Sequence, residues 1–244
     1  GDGGSQSISR AAVAYEIAYA EYGDPCYGWV IADTARNSLE ALLYGVGDIA
    51  AEPPPRQSHL LDSSGQCALR NTTGGAPTDD SYAYLNFGTF GDWHGHPDAL
   101  SIEYFDGGHS LMRSLGSPAG YHNRIHWEWY RTTLSHPTLV VDDADQHWCR
   151  HGDEAARDLE TAGTALDFTD GERLSTVTAT HEQAYTGISC RRHLSLIDDL
   201  LLDCFDISSD TVHTYDLAYH GFGDIESDLD FQPADEVPPA QPWE

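Results

Sequence analysis

The hydrophobic pattern changes period once along the chain. Over residues 8–44 apolar positions recur at helical spacing, with Ala11, Ala12, Ala14, Tyr15, Ile17 and Ala18 in one segment and Trp29 through Leu43 in a second. Gly23-Asp24-Pro25 separates the segments, so the pattern predicts two helices joined by a turn. A helical hairpin cannot bury both of its faces alone, and its partner helices are expected upstream of residue 1, in a larger helical domain. Pro53-Pro54-Pro55 then marks a linker.

Beyond the linker the period falls to two. Runs rich in β-branched and aromatic residues at 66–70, 82–87, 100–105, 138–141, 174–180, 188–197, 200–207 and 212–219 are bounded by Gly, Asp, Asn and Pro, as antiparallel strands are. The expected fold class is mainly β, an antiparallel β-sandwich preceded by a short α-helical hairpin. The expected domains are residues 1–50 (helical), 51–60 (linker) and 61–244 (sandwich). Residues 233–244 carry no closing strand pattern, so the sandwich is either incomplete at its C-terminus or ends in a tail.

Charge narrows the functions open to such a fold. The 244 residues hold 12 basic and 40 acidic side chains, a net charge of −28, and no lysine. With 40% hydrophobic and 11% aromatic residues the chain is too apolar for a disordered acidic tail, so a real core lies beneath an acidic surface. Nucleic acid and anionic membranes are excluded as partners, since both need a positive stripe. An acidic, lysine-free surface suits a high-salt organism, where salt screens self-repulsion; an ordinary acidic secreted protein is the alternative.

The five cysteines, Cys26, Cys67, Cys149, Cys190 and Cys204, are odd in number and include no CxxC pair, so buried free thiols are expected. No apolar run approaches the roughly 20 residues of a membrane span. The start Gly1-Asp2-Gly3-Gly4 is neither a signal peptide nor an initiator Met, so the chain reads as a processed protein or a piece of one. Its location is open, secretion or a periplasm-like compartment being compatible with a full-length form.

The densest chemistry is Trp93-His94-Gly95-His96-Pro97-Asp98, followed by His109, Tyr121, His122, Arg124, His126, Tyr130, Arg131 and His136. Six of the 13 histidines fall within residues 94–136. On an extended segment an HxH pair points both imidazoles to one face, which suits two metal ligands or one ligand beside a free catalytic imidazole. Residues 107–141 hold three arginines and one acid, a net +2 against −30 for the rest, a positive island that would suit a polyanion.

Four phrases together carry a resemblance: Ser-Tyr-Ala-Tyr-Leu-Asn-Phe-Gly at 81–88, Trp-His-Gly-His-Pro-Asp-Ala-Leu-Ser at 93–101, Leu-Gly-Ser-Pro-Ala-Gly-Tyr at 115–121 and Trp-Tyr-Arg-Thr-Thr-Leu-Ser-His-Pro-Thr-Leu-Val-Val-Asp at 129–142. They resemble the heparinase II/III-like polysaccharide lyases. The resemblance implies that residues 60 to about 220 form that family's C-terminal β-sandwich and that residues 8–50 are the last helices of its α/α-toroid. It implies cleavage of a uronate-containing acidic polysaccharide by β-elimination. That chemistry needs a base at C5, a group that neutralises the uronate carboxylate, and an acid for the departing O4. The toroid half of such a site would lie before residue 1. On the sandwich side, the resemblance makes His94 the catalytic or charge-neutralising histidine and gives Tyr130 and Arg131 supporting roles at the cleft. It makes His96 and His136 two ligands of a metal, commonly zinc.

Two positions depart from that pattern. The third metal ligand, an Asp in the family, falls at Ser114, and a neutral hydroxyl is a poor zinc ligand. Asp98 and Asp106 are the candidate substitutes. Pro137 stands where the family usually has Asn after the ligand histidine. At His136 a structural histidine at the mouth of a strand fits as well as a ligand. His213, Asp216 and His220 read as structural first, and Asp142-Asp143-Ala144-Asp145 reads as a solvated turn, with calcium the alternative. The rival functions are a non-catalytic glycan-binding sandwich with a degenerate metal site and a metal-dependent hydrolase on the same fold.

Overall fold

The computed structural model describes residues 12–32, 34, 36–37, 39–72, 74–89, 95–115, 122–147, 162–221, 226 and 228. Backbone contacts divide the chain into two units, one of residues 3–56 and one built on residues 57–244.

The first unit contains helices α1 (Ala12–Tyr22), α2 (Pro25–Ala32) and α3 (Leu39–Tyr44). Gly23 closes α1 with φ +66°, its N–H returning to Tyr19 O, and Asp24 opens α2 by accepting from Cys26 N with Pro25 at the first helical position. Where the pattern predicts two helices there are three. The second segment breaks after Ile31, whose carbonyl accepts from both the N–H and the hydroxyl of Thr34. Arg36 then turns away to bind Glu16 through two hydrogen bonds of 2.7 and 2.9 Å and Val46 O through a third. Glu16 is buried, so this bidentate pair fixes the break. Ile17, Tyr22, Trp29, Leu39, Leu42 and Leu43 remain exposed.

The second unit is an all-antiparallel sandwich. One sheet has the order β1 (His59–Leu61), β2 (Gln66–Asn71), β3 (Ser81–Asn86), β4 (Ser101–Asp106) and β5 (His109–Met112). The other runs β10 (Leu200–Ser209), β9 (Ile188–Ile197), β8 (Leu174–Tyr185) and β7 (Thr164–Thr169). A two-stranded ribbon pairs β6 (Leu139–Val141) with β11 (Tyr215–Leu217). Period-two burial explains the packing. Cys67, Leu69, Ala83, Leu85, Phe87 and Ile102 from the first sheet meet Val177, Ala179, Cys190, Leu194 and Leu196 from the second in one core, joined by Leu139 and Val141.

The expectation of buried thiols holds for Cys67 and Cys190, which burial pushes up to about 12, and fails for Cys204, which faces solvent from β10. Cys149 lies outside the described residues. No described helix is long and apolar enough to cross a membrane.

Candidate functional site

His96 and His136 lie on two loops that the sandwich brings side by side. The first runs from residue 95 to Leu100, whose φ of +58° turns the chain into β4. Asp98 N donates to His96 O and Ser101 N to Asp98 O, which closes the turn. The second loop leaves a short 3-10 turn at Thr133–Ser135 and enters β6. There His136 N donates to Thr133 O and Thr138 N to His136 O.

Buried polar groups tie the two loops together. Thr138 Oγ1 donates to Ala99 O at 2.6 Å, and Ile102 N donates to Pro137 O at 3.3 Å. Gln146 accepts from Ala99 N at 2.7 Å and donates to Ala99 O at 3.1 Å. Such fully used polar networks hold a single arrangement, because a broken member would strand a buried partner.

Both imidazoles are buried, and His96 Nδ1 lies 3.0 Å from His136 Nε2 with the rings near perpendicular at 66°. At that distance one nitrogen carries a proton toward the other, so each ring fixes the other's tautomer. The opposite nitrogen of His136, Nδ1, meets Ser114 Oγ at 3.3 Å. Asp98 flanks the pair, held by Asn86 Nδ2 at 3.0 Å; burial pushes its carboxyl above the usual range, against the pull of His96. Burial likewise raises Glu103, which accepts from the Ser114 backbone.

Beside this pair, a single π-helical turn at His126–Tyr130 carries His126 into the interior and leaves Trp127 at the surface. Turns of this kind often occur at functional sites. Arg131 follows it, buried, with Nη2 donating to Gly95 O at 2.7 Å and its guanidinium 5.1 Å from the Trp127 ring centre. Arg131 therefore grips the backbone of the HxH segment. Tyr130 is half-buried at the end of the same turn. His94 and Tyr121 lie outside the described residues.

The positive island of the sequence is smaller in space. Arg124 pairs with Glu128 on the surface and Arg131 is buried, while Glu103 approaches Arg113 from outside the segment.

The described donors supply two of the ligands of a three-ligand zinc site, and no third. Two imidazoles on one tetrahedral zinc, with Zn–N near 2.0–2.1 Å, place their nitrogens about 3.3 Å apart and aim both at one point. Here the facing nitrogens of His96 and His136 are 3.0 Å apart, close to that spacing, but Ser114 meets the opposite nitrogen of His136 and does not converge with them. Asp106 is committed to Ser81 Oγ at 2.6 Å and Asp98 to Asn86. Among the described residues no three His, Cys, Asp or Glu side chains gather as a metal would require. Ser114→Asp is expected to raise zinc content from well below one ion per chain toward one, measured by elemental analysis of purified protein. A wild type that already holds one tightly bound zinc would contradict this reading.

Two of the secondary candidates, His213 and His220, make contacts that tie strands and loops together. His213 Nδ1 meets Asp142 Oδ2 at 2.6 Å, and Thr214 N donates to Asp142 Oδ1, fastening β11 beside β6. His220 Nε2 meets Leu134 O. Asp145 accepts from Thr133 N, so the carboxylates of Asp142 and Asp145 serve separate partners.

Residues 53–234 match the family described as Heparinase II/III-like, C-terminal. Similar solved structures include a heparinase III gene product (17% identity, TM-score 0.67, covering 91% of this chain and 31% of that one). Two others are the heparan sulfate lyase HepC from Pedobacter heparinus (16%, 0.63, 84% and 28%) and a heparinase III (16%, 0.57, 82% and 28%). The chain thus spans under a third of the length of each. No curated protein matches its sequence.

Proposed function

The chain belongs to the heparinase II/III-like C-terminal family, and from that membership we propose that it is the sandwich part of a polysaccharide lyase that cleaves a uronate-containing acidic polysaccharide by β-elimination. The observation that carries the reading is the buried His96–His136 contact at 3.0 Å, set beside a HxH segment whose backbone Arg131 holds. A group that must exchange or neutralise charge on substrate needs a rigid support, and these residues supply one next to His94.

In the proposed reaction a base removes the C5 proton and the electron pair forms the C4=C5 bond. The C4–O4 bond breaks, and an acid delivers a proton to O4. In this reading His94 serves the sugar carboxylate or the moving proton, Tyr130 has a supporting role, and His96, His136 and Arg131 hold the segment that follows His94 in place. The other half of the site belongs to an α/α-toroid. The exposed apolar residues of α1 to α3 and the coverage of the relatives support that assignment. Zinc is no part of the sequence of steps.

The proposed substrate class is supported by the similar structures, which are of heparinases and a heparan sulfate lyase. Elimination leaves a C=C conjugated to a carboxylate, which absorbs in the near ultraviolet, and hydrolysis does not. The full-length protein is expected to raise that absorbance on at least one member of a panel of heparan, hyaluronan, alginate and ulvan. No rise on any of them, with the protein folded, would sink the lyase reading and favour a glycan-binding sandwich.

A further inference from the structure

Among the described residues, the largest fully buried side chain is charged: Arg192, from the middle of β9. Its Nε and Nη2 donate to the two carboxylate oxygens of Asp203 on β10, at 2.8 and 2.6 Å. Asp203 Oδ2 also accepts from Tyr219 OH at 2.7 Å. The remaining donor is the informative one. Arg192 Nη1 donates to Leu100 O at 2.6 Å and to Pro137 O at 2.7 Å.

Those two carbonyls belong to the two histidine loops. Leu100 ends the turn that begins at His96, in a left-handed backbone conformation that a branched side chain adopts only when its surroundings hold it there. Pro137 directly follows His136. One guanidinium thus spans the loops at a point where a displacement of either carbonyl would change the His96–His136 distance. The planar fork makes both grips at once: one edge is set by the bidentate carboxylate, and the opposite nitrogen is aimed by it.

We propose that Arg192, oriented by Asp203 and Tyr219, is the positioning residue that sets the register of the two histidine loops, the cross-link that a metal ion shared by both imidazoles would otherwise provide. Its effect on turnover rests on the lyase reading above; its effect on the imidazoles does not. Arg192 touches no substrate and acts through Leu100 and Pro137.

The test uses the full-length protein with Arg192→Met and Asp203→Leu together, which replaces the ion pair by apolar groups of similar size and removes the carbonyl grip, along with the Tyr219–Asp203 hydrogen bond and the guanidinium contact with Phe205. Two readouts are taken on folded protein: the ring-nitrogen resonances of His96 and His136, with exposed His59 and His109 as controls, and kcat and KM separately. The expected result is that the His96 and His136 resonances move or broaden while the controls stay. With an active wild type, kcat falls about ten- to a hundredfold and KM changes less than about threefold, as expected for a misplaced rather than a missing group. Unmoved His96 and His136 resonances in a folded double variant would overturn the proposal. Moved resonances in a protein whose wild type cleaves nothing would uphold it and reject the lyase reading instead. Should the double variant not fold, Arg192→Lys serves. A lysine keeps the charge but offers one donor nitrogen where Arg192 uses three, so it cannot hold the carboxylate and both carbonyls at once and is expected to shift the same two resonances; unchanged resonances there would also overturn the proposal.

Discussion

Arg192→Ala is expected to lower the unfolding free energy of the sandwich by about 3–5 kcal/mol, the cost of removing one partner of a buried ion pair. The magnitude follows from what is stranded. Asp203 loses both guanidinium donors and keeps only Tyr219, while Leu100 O loses a 2.6 Å bond in a place water does not reach. Pro137 O retains a long bond from Ile102 N. The contact of the guanidinium with the Phe205 ring, at 5.1 Å, is lost as well. Denaturant unfolding of wild type and variant measures the difference. A loss under about 1 kcal/mol would mean that the site is wet or the pair dispensable, since exposed pairs contribute at that level. Asp203 alone does not explain the stability, because replacing both partners by apolar groups is commonly neutral or better.

His94→Ala is expected to reduce turnover by about 10²–10⁴-fold, the usual contribution of a group that moves a proton or meets developing charge. In the proposed lyase, polysaccharide binding should change little, since removing one imidazole leaves the many other contacts open to a long chain. Initial rates and direct titration of the variant with the substrate separate the two. A variant that turns over normally would remove His94 from the chemistry. If the wild type binds glycan without turnover, the non-catalytic alternative gains, with Ser114 at the family's Asp position as its sequence mark.

Legibility of the fold followed burial. Strands β2, β3, β9 and β10 were read from alternation because one face of each lies in the core and the other does not. Strands β1, β5 and β7 were not. His59–Leu61 is three residues long and leaves Leu61 exposed, His109–Met112 lies at a sheet edge, and β7 carries a bulge between Ala165 and Asp167 that breaks the period. The run expected at 212–219 shortens to Tyr215–Leu217, because residues before it are spent fastening His213 and Thr214 to Asp142. Strand β4 starts one residue late at the left-handed Leu100.

In the candidate site, the HxH phrase and His136 were legible as a pair from resemblance, but their mutual contact was not, since no local rule brings residues 40 apart together. Arg192 and Asp203 were missed, although a signal existed. Alternation in β9 places Arg192 in phase with the core residues Cys190 and Leu194, and in β10 it places Asp203 in phase with Leu201 and Phe205. Opposite charges on the inward phase of neighbouring strands announce a buried pair. The charge count also misled locally, because Arg124 is paired with Glu128 of its own segment, Arg131 is buried, and Glu103 of β4 approaches Arg113.

The central claim, that this sandwich serves elimination, is tested most directly by the mass of the products released from a uronate polysaccharide by the full-length protein. The account predicts fragments whose new non-reducing ends are lighter by one water than hydrolysis would leave, and which keep that deficit in isotopically labelled water. Fragments of full hydrolytic mass, carrying the label at the cleaved bond, would contradict it.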